Sequence, residues 1–263
     1  MSTPSTALRN ICLTVSYQGG PYLGWQSQLQ GPTIEGELKQ AIGKICHEDI
    51  KLQVAGRTDR GVHAIGQVCN FKTHSSISPY RLTTGINAYL PDDIVVQQAE
   101  EKALDFSARH HSLTKIYKYR VYLAKHPLPF LLDRAWHLRM ELDVPAMRNA
   151  AQYLLGEQDF ESFRSVHCDA DHAIRRMIEI DIQEQPATWG KEIQISFHAN
   201  AYCRHMCRIL AGTLVEVGQG KREPASFESL LRCRDRSQAG MTAPPHGLTL
   251  IRVFYPETPE LTA

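Results

Sequence analysis

The stretch Gly56 to Val68, GRTDRGVHAIGQV, sets one acid, Asp59, between two arginines, Arg57 and Arg60. Neighbouring guanidinium groups favour the ionised carboxylate, which can attack an electrophile, bind a metal or pair with a cation. A turn aspartate that only bonds its own backbone is a fourth use of the same residue. An apolar run, Leu52 to Ala55, precedes the stretch and an alternating run, Val68 to Thr73, follows it. The reading is strand, turn and strand, with Gly56 and Gly61 free to take positive φ and Asp59 carried on the loop.

Other residues with chemical capacity cluster by charge. No acid lies between Asp105 and Asp133, a span that interleaves Arg109, Lys115, Lys118, Arg120 and Lys125 with Tyr117, Tyr119 and Tyr122. None lies between Glu192 and Glu216, where Arg204, His205 and Arg208 stand, with Lys221 and Arg222 just beyond. Basic stretches with aromatics suit a surface that tracks phosphates and stacks bases, although ordinary half-exposed faces look the same. In a strand, alternation puts Tyr117 and Tyr119 on one face and Tyr122 on the other.

Cys203, His205 and Cys207, with Cys168 and His167, offer ligand types that suit zinc. The first three fall at i, i+2 and i+4 of an expected helix, where residues two apart diverge, so no metal is expected there. Asp59 with His63 lacks further ligands to complete a metal site. GQGKRE at Gly218 lacks the strand and spacing of a phosphate loop and reads as a helix C-cap.

The elements that must position these residues follow from periodicity. Strands are expected at Asn10 to Tyr17, Leu52 to Ala55, Val68 to Thr73 and Ile94 to Ala99, with helices at Thr33 to Ile45 and Ser78 to Ala88. That order is βαββαβ, and the second half repeats it. It has strands at Lys115 to Leu123, Met177 to Gln183, Glu192 to His198 and Leu248 to Phe254, and helices at Val144 to Leu155, Ala201 to Val217 and Pro224 to Cys233. The fold class expected is α+β: two ferredoxin-like, RRM-like units, 1–110 and 111–263, joined into one extended antiparallel sheet with helices on one face. Such a sheet leaves an open face for a ligand and is a common RNA platform. Three stretches, Gln18 to Pro32, Ala124 to Glu141 and Gly156 to Arg175, read as irregular and long enough to be functional loops.

Composition sets outer bounds. With 263 residues, 43% hydrophobic and 22% charged, the chain can bury one large core or two small ones. Seven scattered cysteines do not make the dense framework of a small secreted domain, so reduced thiols and a cytoplasmic location are expected. The opening MSTPSTALRN lacks the basic and apolar regions of a signal peptide, and no apolar run approaches the ~18 residues of a membrane span. A net charge of +1 argues neither for nor against nucleic acid.

GRTDRGVHA at Gly56, LPDDI at Leu90, KIYKYR at Lys115, GEQDFESF at Gly156, NAYCRHMCRILAGTLVEVGQG at Asn200 and GLTLIRVFY at Gly247 resemble, in order and spacing, the TruA family of tRNA pseudouridine synthases. The first and fifth are long and specific, and the resemblance runs from about Ile11 to Pro256. Arg60 departs from it, since the family more often has a small residue there. The resemblance implies that Asp59 is the nucleophile, that Tyr117 contacts the target uridine, that Arg208 partners the active-site carboxylate and that Arg57 helps turn the base out of the stack. It also implies the anticodon arm of tRNA, positions 38 to 40, as target, and a homodimer holding one tRNA across both subunits.

The residues themselves are compatible with each role. Isomerising uridine to its C-glycoside breaks the N1–C1′ bond, rotates the uracil and joins C5 to C1′, with no redox change and no imported group. A carboxylate nucleophile suffices in principle, and no cofactor is expected. Two other classes compete. A non-catalytic RNA-binding module would share the basic, aromatic sheet but has no need of Asp59 amid positive charge. A glycoside-cleaving enzyme would need a second carboxylate about 5 to 9 Å from the first, and no motif supplies one.

Overall fold

The computed structural model describes residues 7–256, so the first six residues of the opening and the polar C-terminal end lie outside the described residues. Among them the chain is α+β, with ten strands and five α-helices. It divides into two compact units, residues 7–113 with 250–256, and residues 114–249.

The first unit runs β1 (Arg9–Tyr17), α1 (Ile34–Cys46), β2 (Gln53–Val54), β3 (His63–Thr73), α2 (Pro79–Asn87) and β4 (Ile94–Lys102). Its strands lie in the order β4-β1-β3, with β2 on β3, and every pairing among these four is antiparallel, the arrangement a βαββαβ order predicts. Alternating apolar residues bury Ile11, Leu13 and Val15 of β1. α1 buries Ile34, Leu38, Ala41 and Ile42, the spacing of one helical face, and its N-cap Thr33 accepts a hydrogen bond from the Gly36 amide at 3.2 Å.

The second unit runs β5 (Thr114–Leu123), β6 (Trp136–Leu138), α3 (Val144–Gln152), β7 (Gly156–Asp159), β8 (Ile174–Ala187), β9 (Gly190–Ala199), α4 (Met206–Gly218) and α5 (Ser226–Cys233). Its strands lie in the order β5-β9-β8-β7, with antiparallel neighbours, and β6 runs parallel to β5. Helix α4 is apolar nearly all round, and Ile209, Leu210, Ala211, Leu214 and Val215 are buried. The last strand, β10 (Leu248–Phe254), belongs to the first unit from Leu250 onward, and a side chain at Gly66 of β3 would meet the Ile251 carbonyl at 2.5 Å.

Several boundaries differ from the periodic reading. β3 begins at His63 rather than Val68, because the preceding turn closes tightly: the Val62 amide donates to the Asp59 carbonyl at 3.1 Å and Gly61 sits at φ 78°. Gly56, expected to share that freedom, does not have positive φ. Two stretches read as irregular contain strands, β6 and β7. GEQD has little β propensity, and pairing with residues 174–177 of β8 makes it a strand. α4 starts at Met206 rather than Ala201. Its N-cap His205 has φ 64°, and the Met206 amide donates to the Cys203 carbonyl, a turn that keeps residues 201–205 out of the helix.

Candidate active site

In the first unit the Arg57–Arg60 loop is fastened by its inward-facing residue. Thr58 is buried, and its hydroxyl lies 2.7 Å from the Tyr17 hydroxyl at the end of β1. Gln67 of β3, fully buried, donates from Nε2 to the Tyr17 oxygen at 3.2 Å and to the Gly56 carbonyl at 2.8 Å. Because Tyr17 accepts from Gln67, its own proton is available for Thr58. Burial pushes the Tyr17 phenol upward, so it stays neutral and keeps that proton.

The segment between β1 and α1 holds the loop from a second side. The Trp25 amide donates to the Thr58 carbonyl at 3.0 Å. Gly24, at φ 107°, lies so close that a Cβ there would stand 2.9 Å from the same carbonyl and 3.2 Å from the Asp59 carbonyl carbon. At the loop's exit the Gly19 amide donates to His63 Nδ1 at 3.1 Å, which gives that histidine a structural task. With Thr58 turned inward, Arg57 and Arg60 are exposed and Asp59 is half-buried. Asp59 is therefore placed by backbone anchored on both flanks, in reach of solvent and between two cations.

The second unit holds Tyr117 and Arg208. Tyr117, on β5, is buried beside Tyr119, and its ring meets Tyr202 edge-on at 5.0 Å between centroids and 81° between planes. Arg208, in the first turn of α4, donates from Nε to the Ala243 carbonyl at 2.8 Å, and the Ala243 amide returns a bond to the Arg208 carbonyl at 3.1 Å. This pair of bonds fixes the arginine stem. A cation at a helix N-terminus adds to the positive end of the dipole, so this corner of the unit favours an anion. Burial raises the Tyr119 phenol, and Arg208 pulls it partly back, which puts the guanidinium charge near β5. Of the four residues singled out in sequence, Arg57 and Asp59 thus lie in the first unit, and Tyr117 and Arg208 in the second.

The basic residues of the acid-free stretches are only partly available at the surface. Lys115 is not on the surface: it is 7% exposed, on the Tyr117 face of β5, and burial holds its ammonium down to about 8. Arg120 is engaged by Glu192 through two bonds of 2.8 and 2.7 Å, and Arg222 by Glu216 at 3.2 Å. Glu192 and Glu216 bound the second acid-free stretch in sequence, yet Glu192 pairs with an arginine of the first and Glu216 with one just beyond the second. Arg109, Lys125, Arg204 and Lys221 are exposed.

Of Cys203, His205 and Cys207, only Cys207 lies within α4, so the three do not share the helix expected of them. Cys168 accepts a bond from the Arg204 amide at 3.4 Å, and among the described residues no three His, Cys, Asp or Glu side chains gather in a metal-binding arrangement. Gly220, at φ 69°, ends α4 with its amide on the Val217 carbonyl, so GQGKRE is a helix terminus. No helix among the described residues is long and apolar enough to cross a membrane.

The supporting residues Tyr17, Gln67 and Tyr202 were not singled out in sequence. Gln67 carried a faint signal, a polar residue directly before the alternating run Val68 to Thr73, whereas Tyr17 and Tyr202 read as ordinary aromatics.

A family model described as tRNA pseudouridine synthase matches residues 13–111 and 150–256 of the chain. The tRNA pseudouridine synthase A of Geotalea daltonii is 40% identical over 248 residues, covering 94% of this chain and 100% of that protein. Its namesake in Caldicellulosiruptor bescii is 42% identical over 249 residues with the same coverage. That of Shewanella loihica is 38% identical over 247 residues, covering 94% of this chain and 93% of its own.

Proposed function

The chain belongs to the tRNA pseudouridine synthase family, and from that premise we propose that it isomerises uridine to pseudouridine at positions 38, 39 and 40 of the tRNA anticodon stem-loop, with Asp59 as nucleophile. Homologues named tRNA pseudouridine synthase A make it an isomerase that acts on tRNA. The observation that carries the finer reading is the fastening of Thr58 by Tyr17 and Trp25, which holds a half-buried carboxylate at a fixed place between Arg57 and Arg60. Preorganisation of this kind is what a nucleophile needs and a solvated turn aspartate does not.

In the proposed reaction the Asp59 carboxylate attacks the sugar or the base ring, the N1–C1′ bond breaks, and the freed uracil turns to present C5. The C5–C1′ bond forms, the bond to Asp59 breaks and returns its electron pair to the carboxylate, the C5 proton leaves to solvent, and N1 takes up a proton, so atoms and charge balance with no cofactor. Arg57, exposed beside the nucleophile, helps hold the base out of the stack at a cost of a few kcal/mol of unstacking. Tyr117 offers an aromatic surface to that base, and Arg208 stabilises negative charge at the reacting centre. Two copies of the chain hold one tRNA, in the cytoplasm.

The test is tritium release from tRNA carrying 5-tritiated uridine, with a binding isotherm and site-resolved mapping of pseudouridine. Asp59→Asn is expected to lose turnover by more than about a thousandfold while tRNA affinity stays within several-fold. Residual turnover above that level rules Asp59 out as the nucleophile, and modification outside positions 38 to 40 overturns the assigned target.

A further inference from the structure

Tyr202 stands in the link between β9 and α4 and touches three parts of the second unit. Its hydroxyl donates to the Lys115 carbonyl on β5 at 3.0 Å and to the Phe197 carbonyl on β9 at 2.7 Å. Phe197 is the residue paired with Tyr117 across the β5–β9 ladder, and Lys115 lies two residues before Tyr117 on the same face. One phenol proton is therefore shared by two carbonyls that bracket Tyr117. The Tyr202 ring meets the Tyr117 ring edge-on at 5.0 Å and 81°, the arrangement the aromatic quadrupole favours. Burial pushes the phenol well upward, so it remains a donor throughout the range in which an enzyme of this kind works.

A ring on a strand keeps its χ1 well by sterics but tilts about χ2 unless something packs against its face or edge. From this geometry we infer that Tyr202 is a positioning residue for the reaction: its ring, packed nearly perpendicular to that of Tyr117, sets the tilt of the Tyr117 ring, and its hydroxyl ties the strand pair on which that ring is mounted. The inference rests on the proposed role of Tyr117. The ring contact carries the function, because the strand pair has its own ladder of bonds to fall back on.

Tyr202→Phe keeps the edge contact and gives up the two carbonyl bonds. Tyr202→Leu gives up both. The expected result is a kcat within about threefold of wild type for Tyr202→Phe and at least tenfold lower for Tyr202→Leu, with KM and tRNA Kd within threefold in both. Thermal melts and circular dichroism at the assay temperature establish that each variant is folded. The decisive measurement is a cycle with Tyr117→Ala: Tyr202→Leu should lower kcat no further in that background, since its effect acts through a ring no longer present. An additive loss, or a Tyr202→Leu enzyme that is folded and fully active, overturns the inference. Full activity of Tyr117→Ala alone instead overturns the role of Tyr117, and the two failures are thereby told apart.

Discussion

Arg57 and Arg208 carry the same charge in different settings, and their substitutions should differ accordingly. Arg57 is exposed on the loop, whereas Arg208 is half-buried and tied by Nε to the Ala243 carbonyl at the positive end of α4. Both should act after docking, so alanine at either is expected to lower kcat at least tenfold with only a modest change in tRNA affinity. An RNA whose target uridine is already unstacked should partly rescue Arg57→Ala and leave Arg208→Ala unchanged. Single-turnover rates on the two substrates make the comparison, and equal rescue would show that Arg57 is not an extruding residue. Lys115 gives a pH prediction. Burial holds its folded-state value down to about 8, below that of an unfolded-chain lysine, so between about pH 8 and 10.5 the unfolded chain binds more protons. Its contribution to stability therefore rises with pH across that window, and below it the buried charge is a standing cost. Denaturation of wild type and Lys115→Met at several pH values isolates the term from the tyrosines and cysteines that titrate nearby. The stability advantage of the variant should be largest below pH 8 and shrink toward pH 10.5.

At the scale of elements, the loop between β2 and β3 is held by neighbours distant in sequence. Gly24 belongs to a segment over thirty residues earlier, yet its Cα faces the Thr58 carbonyl at a distance and φ that admit no side chain. Gly24→Ala is expected to displace Thr58 and Asp59 together, lowering kcat by tenfold or more and costing about 1–3 kcal/mol of stability. A melt and a tritium-release assay on one preparation read both effects, and wild-type kcat in the folded variant would show that the loop has another anchor. α4 makes a similarly close approach, because a Cβ at Gly212 would stand 1.9 Å from the Met241 carbonyl. Backbone contact of this kind lets the segment around Ala243 reach Arg208.

For the whole molecule, the question is which cations remain for phosphate once the internal partners are assigned. Glu192 and Glu216 occupy Arg120 and Arg222, and Lys115 is buried. Arg109, Lys125, Arg204 and Lys221 are exposed, and loss of one that contacts phosphate should reduce the salt slope of tRNA binding by roughly 0.9 with kcat at saturation unchanged. Arg222→Ala should instead lower stability, through the Glu216 carboxylate it leaves behind, and move the slope little. Fluorescence anisotropy across a salt series measures both. A slope indifferent to all four exposed residues would place the RNA on another surface. The reaction as proposed uses no metal, so activity should survive EDTA.

The α+β class and the βαββαβ order of the first unit were legible in the amino-acid sequence because periodicity and capping are local properties, whereas the second half departs from that order, with two further strands, β6 and β7, and a closing strand, β10, that falls with the first unit from Leu250. Thr33 starts α1 as an N-cap and Leu248 to Phe254 is a strand within the bounds read from its residues alone. Asp59 was legible as a residue with unusual neighbours on a turn. What the sequence could not contain was partnership across distance. Glu192 bounds an acid-free stretch in sequence, but only the β5–β9 register sets it against Arg120. GEQD becomes a strand only because β8 offers an edge, and α4 waits until Met206 because His205 turns through left-handed backbone. Lys115 reads as one more surface lysine until alternation on β5 and burial of that face place it inward with Tyr117. Local chemistry determined which groups were present and on which kind of element. Long-range packing decided which charges are spent inside the fold, and which side chains hold Thr58 and Tyr117 in place.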